Sequence, residues 1–351
     1  MSKDLKNLTF QQVRQLVAEF GGRKFLAKYL FSFIHAHHAR QIDEITPLPK
    51  DLRRRLTGQG YFISQLETVE TLVDPDGTVK FLFAAADGVR LESVLLTDAG
   101  EKQRKTLCIS CQAGCRMACA LCATGRGGFQ RNLTAAEIAD QVYQAARCAE
   151  KINNIVYMGM GEPFDNYDEV IRSARILNHH AGANIGQRHI TISTCGIPHI
   201  IERFADEALQ VRLAVSLHAA GDRKRRRIMP VAAKYPLAEL ISAIKTYQQK
   251  TARRVSFEYC MIKNLNDSPA DARALIGLIK GINAAINLIE YNPHEGCTFA
   301  AAARPTIRNF KDILMQAGVE TIIRHKRGRK INAACGQLTA TLLHPQSPNH
   351  T

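Results

Sequence analysis

The sequence predicts an α/β protein: a partial barrel of six βα units, with a small N-terminal α+β accessory domain before it and a short C-terminal extension after it. Three observations lead there. From about residue 105 onward, short apolar segments alternate with stretches of helical periodicity, the pattern of parallel βα units. The first hundred residues lack that alternation and carry helices followed by a hairpin. A length of 351 residues with 46% hydrophobic residues suits two or three domains around a sizeable core.

Taken in order, apolar residues at helical spacing predict helices over 10–20 and 25–34, joined by Gly21-Gly22, and a third over 49–59. Strands over 79–84 and 90–96 flank Asp87-Gly88, a hairpin signal. The polar stretch 97–105 marks a boundary, placing the accessory domain at 1–98, the barrel at 99–330 and the C-terminal segment at 331–351. Barrel strands are expected over 106–109, 154–158, 189–193, 212–217, 255–261 and 285–291. Each except the last is followed by a helix-like segment, for example 134–149 and 167–178, and Thr134 with Glu137 reads as a capping box opening the first of these. Six strands are too few for a closed eight-stranded barrel. An open barrel is expected, with its chemistry at the carboxyl ends of the strands. The tail 344–351 reads as a frayed polar end.

The formal charge is +15, from 47 basic and 32 acidic residues. Basic runs at 53–55 (RRR), 223–227 (RKRRR) and 324–330 (RHKRGRK) favour a nucleic-acid partner, since each phosphate contact releases counterions. No apolar stretch reaches the roughly 18 residues of a membrane span, and MSKDLKNLTF has no apolar signal core. A cytoplasmic protein with reduced cysteines follows as the expectation. His35, His37 and His38 have no cysteine near them and read as a solvated helix end.

Cys108, Cys111, Cys115, Cys119 and Cys122 fall within fifteen residues just after the first barrel strand. The spacing leaves no room for a zinc ribbon's finger between two CxxC knuckles and does not match the bacterial ferredoxin run. Cys115-x3-Cys119-x2-Cys122 offers three thiolates, which leave one iron of a four-iron cluster open to a ligand. CxxxCxxC at this place in a partial barrel resembles the radical S-adenosylmethionine superfamily, where the open iron chelates the cofactor's amino and carboxylate groups. Gly159-Met160-Gly161-Glu162-Pro163 resembles that superfamily's GGEP-type loop, with Glu162 an acceptor for the cofactor's ammonium. Ser193, Ser216-Leu217-His218 and Asn292 close other strands where the cofactor would bind.

At a finer level the chain resembles the dual-specificity RNA methyltransferases RlmN and Cfr. Matching stretches are Asp76-Gly77-Thr78 with Lys80-Phe81, Leu91 to Val94, Thr106-Leu107-Cys108, Gln112-x-Gly114-Cys115, Arg131-Asn132-Leu133, Met158 to Pro163, Ser216-Leu217-His218, and Ala333 to Leu338. The resemblance implies a radical S-adenosylmethionine barrel holding one [4Fe-4S] cluster on Cys115, Cys119 and Cys122. Two S-adenosylmethionine molecules would be consumed, and an electron donor such as flavodoxin would be needed. Cys335 would carry the methyl group, Cys108 would resolve the enzyme–RNA adduct through a transient disulfide with Cys335, and Glu92 would take the adenine proton. The substrate implied is adenine in large-subunit ribosomal RNA or in tRNA. Carbon 2 is the commoner position and carbon 8 the alternative. Cys148, Cys195, Cys260 and Cys297 read as buried structural cysteines.

Two positions depart from the family pattern. Cys111 stands where a non-cysteine is usual and could compete as a resolving thiol or mis-ligate the cluster. Lys330 replaces an acidic residue ahead of Ala-Ala-Cys and would alter the field near Cys335. Two other readings stay open on sequence alone: a radical enzyme acting on a non-RNA substrate, in which Cys335 and Cys108 are dispensable, and a zinc-bearing RNA-binding protein without catalysis. Nothing in the sequence calls for more than a monomer.

Overall fold

A computed structural model describes residues 2–98, 104–149, 151–294, 297–324 and 326–340. Most of the boundary stretch (99–103) and the whole tail 344–351 lie outside the described residues. The N-terminal part begins with helices α1 (Phe10–Glu19), α2 (Leu26–His35) and α3 (Lys50–Gly58). Thr9 and Gln12 cap α1 reciprocally, and Val13, Leu16 and Val17 form its buried stripe. Strands β1 (Glu67–Val73), β2 (Val79–Ala84) and β3 (Arg90–Thr97) then form an antiparallel meander. Its two turns are closed by Gly77 and Gly88, both at positive φ.

The core follows: β4 (Lys105–Cys108), β5 (Gln112–Gly114), α4 (Ala123–Arg126), β6 (Phe129–Asn132), α5 (Ala135–Ala146), β7 (Asn154–Tyr157), α6 (Tyr167–Asn178), β8 (Ile190–Thr194) and α7 (Pro198–Ala205). It continues with β9 (Arg212–Ser216), α8 (Asp222–Ile228), α9 (Leu237–Thr251), β10 (Val255–Met261), α10 (Pro269–Leu278), β11 (Ala284–Glu290), α11 (Arg304–Gln316) and β12 (Thr321–Arg324). One ten-stranded sheet runs β1-β2-β3-β4-β7-β8-β9-β10-β11-β12, parallel from β4 onward. Among the described residues its two edge strands, β1 and β12, do not pair with each other, so the barrel is open, as expected from the strand count. The expected capping box opens α5.

Four strands were not legible in the sequence: β1, the short β5–β6 pair, and β12. The last βα unit is in fact complete, because α11 follows β11 and delivers a seventh parallel strand. β12 spans four residues and merges into the basic run 324–330, so charge masked it. The meander also shares the barrel's sheet, since β3 pairs with β4 from Val94–Cys108 to Thr97–Lys105.

Other expectations are corrected by packing. His35 is fully buried, not solvated: α2 packs against α5, and His35 Nδ1 lies 2.8 Å from the Tyr143 hydroxyl. Burial holds its imidazole well below the usual range, hence neutral. Nearby, Lys6 pairs with Asp140 at 2.6 Å, both inaccessible to solvent, tying the N-terminal turn to α5. The run 223–227 is not one solvated face. Arg225 is completely buried, because α8 turns it inward between Arg223 and Arg227, which stay exposed. Cys148, two residues past the end of α5, is exposed, and Cys297 is only half-buried.

Candidate active site

The carboxyl ends of the parallel strands open on a half-open cleft of about 1000 Å³, counting the part that merges with solvent. Nine of the residues singled out in the sequence line it: Cys115, Cys119, Cys122, Gly161, Glu162, Ser193, Ser216, His218 and Cys335. The three thiols come from one loop, held by Cys115 N–H donating to Gly128 O at 2.8 Å and Cys122 N–H to Cys119 O at 3.1 Å. Gly125 lets this loop fold on itself, because a Cβ there would sit 2.9 Å from Cys119 N. Among the described residues no three Cys, His, Asp or Glu side chains converge on a single-ion site. Cys115, Cys119 and Cys122 share a space, not a point, and an all-sulfur set around such a space fits an iron–sulfur cluster. Burial pushes the Cys115 thiol up to about 12 and Cys119 up as well, so metal binding would have to displace both protons.

The Gly-Met-Gly-Glu-Pro loop is bound to the loop after β4. Met160 N–H donates to Ser110 Oγ at 2.8 Å, and Glu162 N–H to Gln112 Oε1 at 2.9 Å. Glycines in such a loop let a ligand approach the backbone closely. The structure adds protein contacts: a Cβ at Gly159 would lie 2.7 Å from the Ile109 carbonyl, and one at Gly161 2.5 Å from Gln112. Glu162 accepts from Phe164 N–H at 2.9 Å and from Cys195 N–H at 2.7 Å, joining the β7 and β8 ends. Burial raises its carboxyl above the ordinary range.

His218 sits in the left-handed region, φ 58°, just beyond β9. Its Nδ1 accepts from Cys260 N–H at 3.0 Å, leaving Nε2–H as the ring's donor. Burial, then the charge of Arg225, lowers its pKa to about 3, so the ring is neutral. Asn266 fixes this corner by donating to His218 O at 2.6 Å and Cys260 O at 2.7 Å. Nothing in the sequence marked Asn266, and only its long-range partners reveal its task. Leu217 points into the core and does not line the cleft, and its N–H donates to Glu258 O. Glu258, Cys195 and Cys260 were not singled out as site residues, yet all three line the cleft.

The C-terminal segment enters from 210 residues away. Ala123 N–H donates to Gly336 O at 2.7 Å, Thr124 Oγ1 to Leu338 O at 2.7 Å, and Asn292 Nδ2 to Cys335 O at 3.3 Å. Asn292 therefore meets the segment, although its side chain is not part of the lining. Cys335 is open to the cleft; the enclosing walls and then Glu258 push its thiol up. Cys108 is buried behind the cleft, with its thiol raised by burial and then by Cys335. Both are free thiols. Glu92 is buried, pairs with Lys80 at 2.9 Å, and accepts from Thr339 and Ala340 N–H at 2.7 and 2.9 Å. Cys111 lies outside the cleft, fully buried with its thiol 3.7 Å from Met160 O. Lys330 is exposed; its N–H donates to Asp74, as that of Gly328 does to Asp76, so this turn docks on the β1–β2 hairpin.

Two family descriptions match the chain: the radical SAM superfamily over residues 109–276, and the ribosomal RNA large subunit methyltransferase N-terminal domain over 3–61. The dual-specificity RNA methyltransferase RlmN of Pelobacter propionicus is 44% identical over 339 residues, covering 97% of this chain and 96% of that protein. The probable RlmN of Staphylococcus aureus strain Newman is 42% identical over 343 residues, covering 96% and 93%. The crystal structure of a radical SAM methyltransferase from Sphaerobacter thermophilus matches with a TM-score of 0.90 and 41% identity, covering 96% of this chain and 99% of that one. Membership of the superfamily implies a [4Fe-4S] cluster and S-adenosylmethionine. With an N-terminal domain, a core and a full-length likeness that all agree, the chain belongs to the RlmN family of radical S-adenosylmethionine RNA methyltransferases.

Proposed function

We propose that this enzyme methylates carbon 2 of an adenine in large-subunit ribosomal RNA, and in tRNA as a second substrate, through S-methylation of Cys335. One observation carries the reading. Cys335 opens into the same cleft as Cys115, Cys119 and Cys122, although the chain between them spans more than two hundred residues. In this reading those three thiols hold the cluster, while Gly161, Glu162, Ser193, Ser216, His218 and Asn292 surround the bound S-adenosylmethionine. Leu217 contributes backbone only. When bound, cluster and cofactor together supply a methyl group and a radical able to abstract hydrogen.

The chain's own groups do the rest. Cys335 accepts the methyl group on sulfur and presents it to the base. An unactivated aromatic carbon accepts it only after hydrogen abstraction, which leaves a carbon bridge between Cys335 and the adenine. Glu92 would remove the proton from the adenine carbon as the adduct radical gives its unpaired electron back to the oxidised cluster, and for this it must let go of the Thr339 and Ala340 N–H groups. Cys108 then attacks the Cys335 sulfur, releasing methylated RNA and leaving a disulfide that an external thiol reductant reopens. The family's N-terminal domain, with Arg54 and Arg55 as the exposed members of the run 53–55 on α3, serves RNA docking. A low-potential electron carrier such as flavodoxin delivers the electron, and the enzyme works as a monomer.

Peptide mass spectrometry tests this directly. Enzyme purified from iron-replete cells should carry one added methyl group on the Cys335 peptide, and that mass should vanish in Cys335→Ala. An unmodified Cys335 in protein with an intact cluster and measurable RNA methylation would sink the carrier assignment.

A further inference from the structure

Arg225 is the central residue of the 223–227 run and is completely inaccessible to solvent. Its helix, α8, lies against the cysteine loop: Ala120 N–H donates to Ile228 O at 2.9 Å. The guanidinium donates from Nη2 to Cys195 O at 2.6 Å and from Nε to Leu217 O at 3.3 Å, carbonyls of the loops that close β8 and β9. Its Nη1 is buried with no hydrogen-bond partner. Among the described residues no carboxylate forms an ion pair with it. Lys224 beside it pairs with Asp271 at 2.5 Å, and Asp222, one turn earlier, accepts from Leu237 N–H at 2.9 Å.

A guanidinium keeps its proton even when buried, so its charge needs compensation from its surroundings. The groups whose fields act on it are Cys195, Cys119 and Asp222 on the negative side and the neutral His218 on the other. Cys195 is a thiol that burial keeps protonated. Cys119 is different, because cluster binding converts it to a thiolate. A 2+ cluster core with three thiolates has one net negative charge, and two once reduced.

We propose that Arg225 is the buried counter-charge of the iron–sulfur cluster, a positioning residue that raises the cluster's reduction potential by favouring its more negative, reduced form. The inference rests on the reading of Cys119 as a cluster ligand. It turns one member of an apparent RNA-binding run into part of the redox apparatus. The Nη1 amino group, which has no hydrogen-bond partner among the described residues, is free to donate toward that anion from behind the cleft wall.

The test is an anaerobic redox titration of the reconstituted holoenzyme, followed by electron paramagnetic resonance without S-adenosylmethionine, with iron content and thermal melting measured alongside. Arg225→Gln should lower the reduced-to-oxidised ratio of the cluster about tenfold at the wild-type midpoint, a downward shift of about 59 mV for one electron. Arg225→Lys should stay close to wild type. A wild-type potential in Arg225→Gln overturns the proposal, whatever the melting shows. So does an unchanged potential combined with weakened S-adenosylmethionine binding, which would make the cofactor's carboxylate the partner. If folded Arg225→Gln holds no iron, retention of iron by Arg225→Lys supports the counter-charge, and loss from both overturns it. If Arg225→Gln does not fold, Asp222→Asn must shift the potential upward, and no shift overturns the proposal. Cys119→Ala in parallel separates the two readings. A full cluster there defeats the ligand assignment, whereas iron loss there with an unshifted Arg225→Gln defeats only the present inference.

Discussion

Two parts of the cleft lining are assembled in contrasting ways. Cys115, Met117, Cys119, Leu121, Cys122, Thr124 and Gly125 come from one short stretch whose shape is held by its own backbone hydrogen bonds. Cys335 and Gly336 come from the far end of the chain, and their segment is held by a handful of long-range hydrogen bonds, donated by Ala123, Thr124 and Asn292 and accepted by Glu92. A local loop pays little loop-closure entropy and sets much of its geometry from its own backbone, with Ala120 N–H tied in addition to Ile228 O of α8. Among the described residues the C-terminal segment has no regular structure beyond a single turn at Arg329–Ile331, so the position of that part depends on its partners. Such a division suits a site in which one thiol set stays fixed while another thiol changes partners.

Substitutions should separate the two parts, beginning with the largest effect. Cys119→Ala should reduce bound iron and take methylation to background. Cys335→Ala should also abolish methylation, yet retain the iron content and visible absorbance of the wild type. Iron loss in Cys335→Ala would erase the distinction between the two parts. Glu92→Ala leaves Lys80 buried without its partner and frees Thr339 and Ala340. It should cost about 3 kcal/mol in urea unfolding and make the C-terminal segment more sensitive to limited proteolysis than the cysteine loop. Unchanged cleavage would mean Glu92 does not hold the segment.

Smaller effects sharpen the picture. Gly161→Ala should cost about 2 kcal/mol, because φ is +98° and Gln112 stands 2.5 Å from the added carbon. The buried histidines set an acid limit. His218, unfolded near 6.5 and folded near 3, binds more protons in the unfolded chain between those values. Its contribution is complete above pH 6.5 and is lost as pH falls toward 3, by about 1.4 kcal/mol per pH unit. His35, shifted the same way, adds to the slope. Urea unfolding at stepped pH should show it, and His218→Asn should flatten it.

Much of this site was readable in sequence order because its chemistry is local. The CxxxCxxC loop and the Gly161-Glu162 loop are contiguous motifs, and the strand-closing Ser193, Ser216 and His218 follow from where βα units place their polar ends. What escaped was whatever depends on direction or distance. Asn266 acts through carbonyls on two other segments, Glu258 faces the cleft from mid-strand, and Arg225 looks like its exposed neighbours in one dimension. Cys148 and Cys195 illustrate the same limit, since residue type alone placed both in the core and packing exposed one of them.

Periodicity, turn residues and motif spacing thus determined the α/β class, six of the seven parallel strands and the cysteine loop, because each is a property of neighbouring residues. Only the tertiary structure decided that the meander joins the barrel's sheet, that His35 and Arg225 turn inward, and that Cys335 opens into the cleft beside the cysteine loop. Those outcomes depend on which surfaces meet when the helices and strands pack. The cost of burying an imidazole or a guanidinium is offset by partners far away in the chain, and the order of residues does not display them.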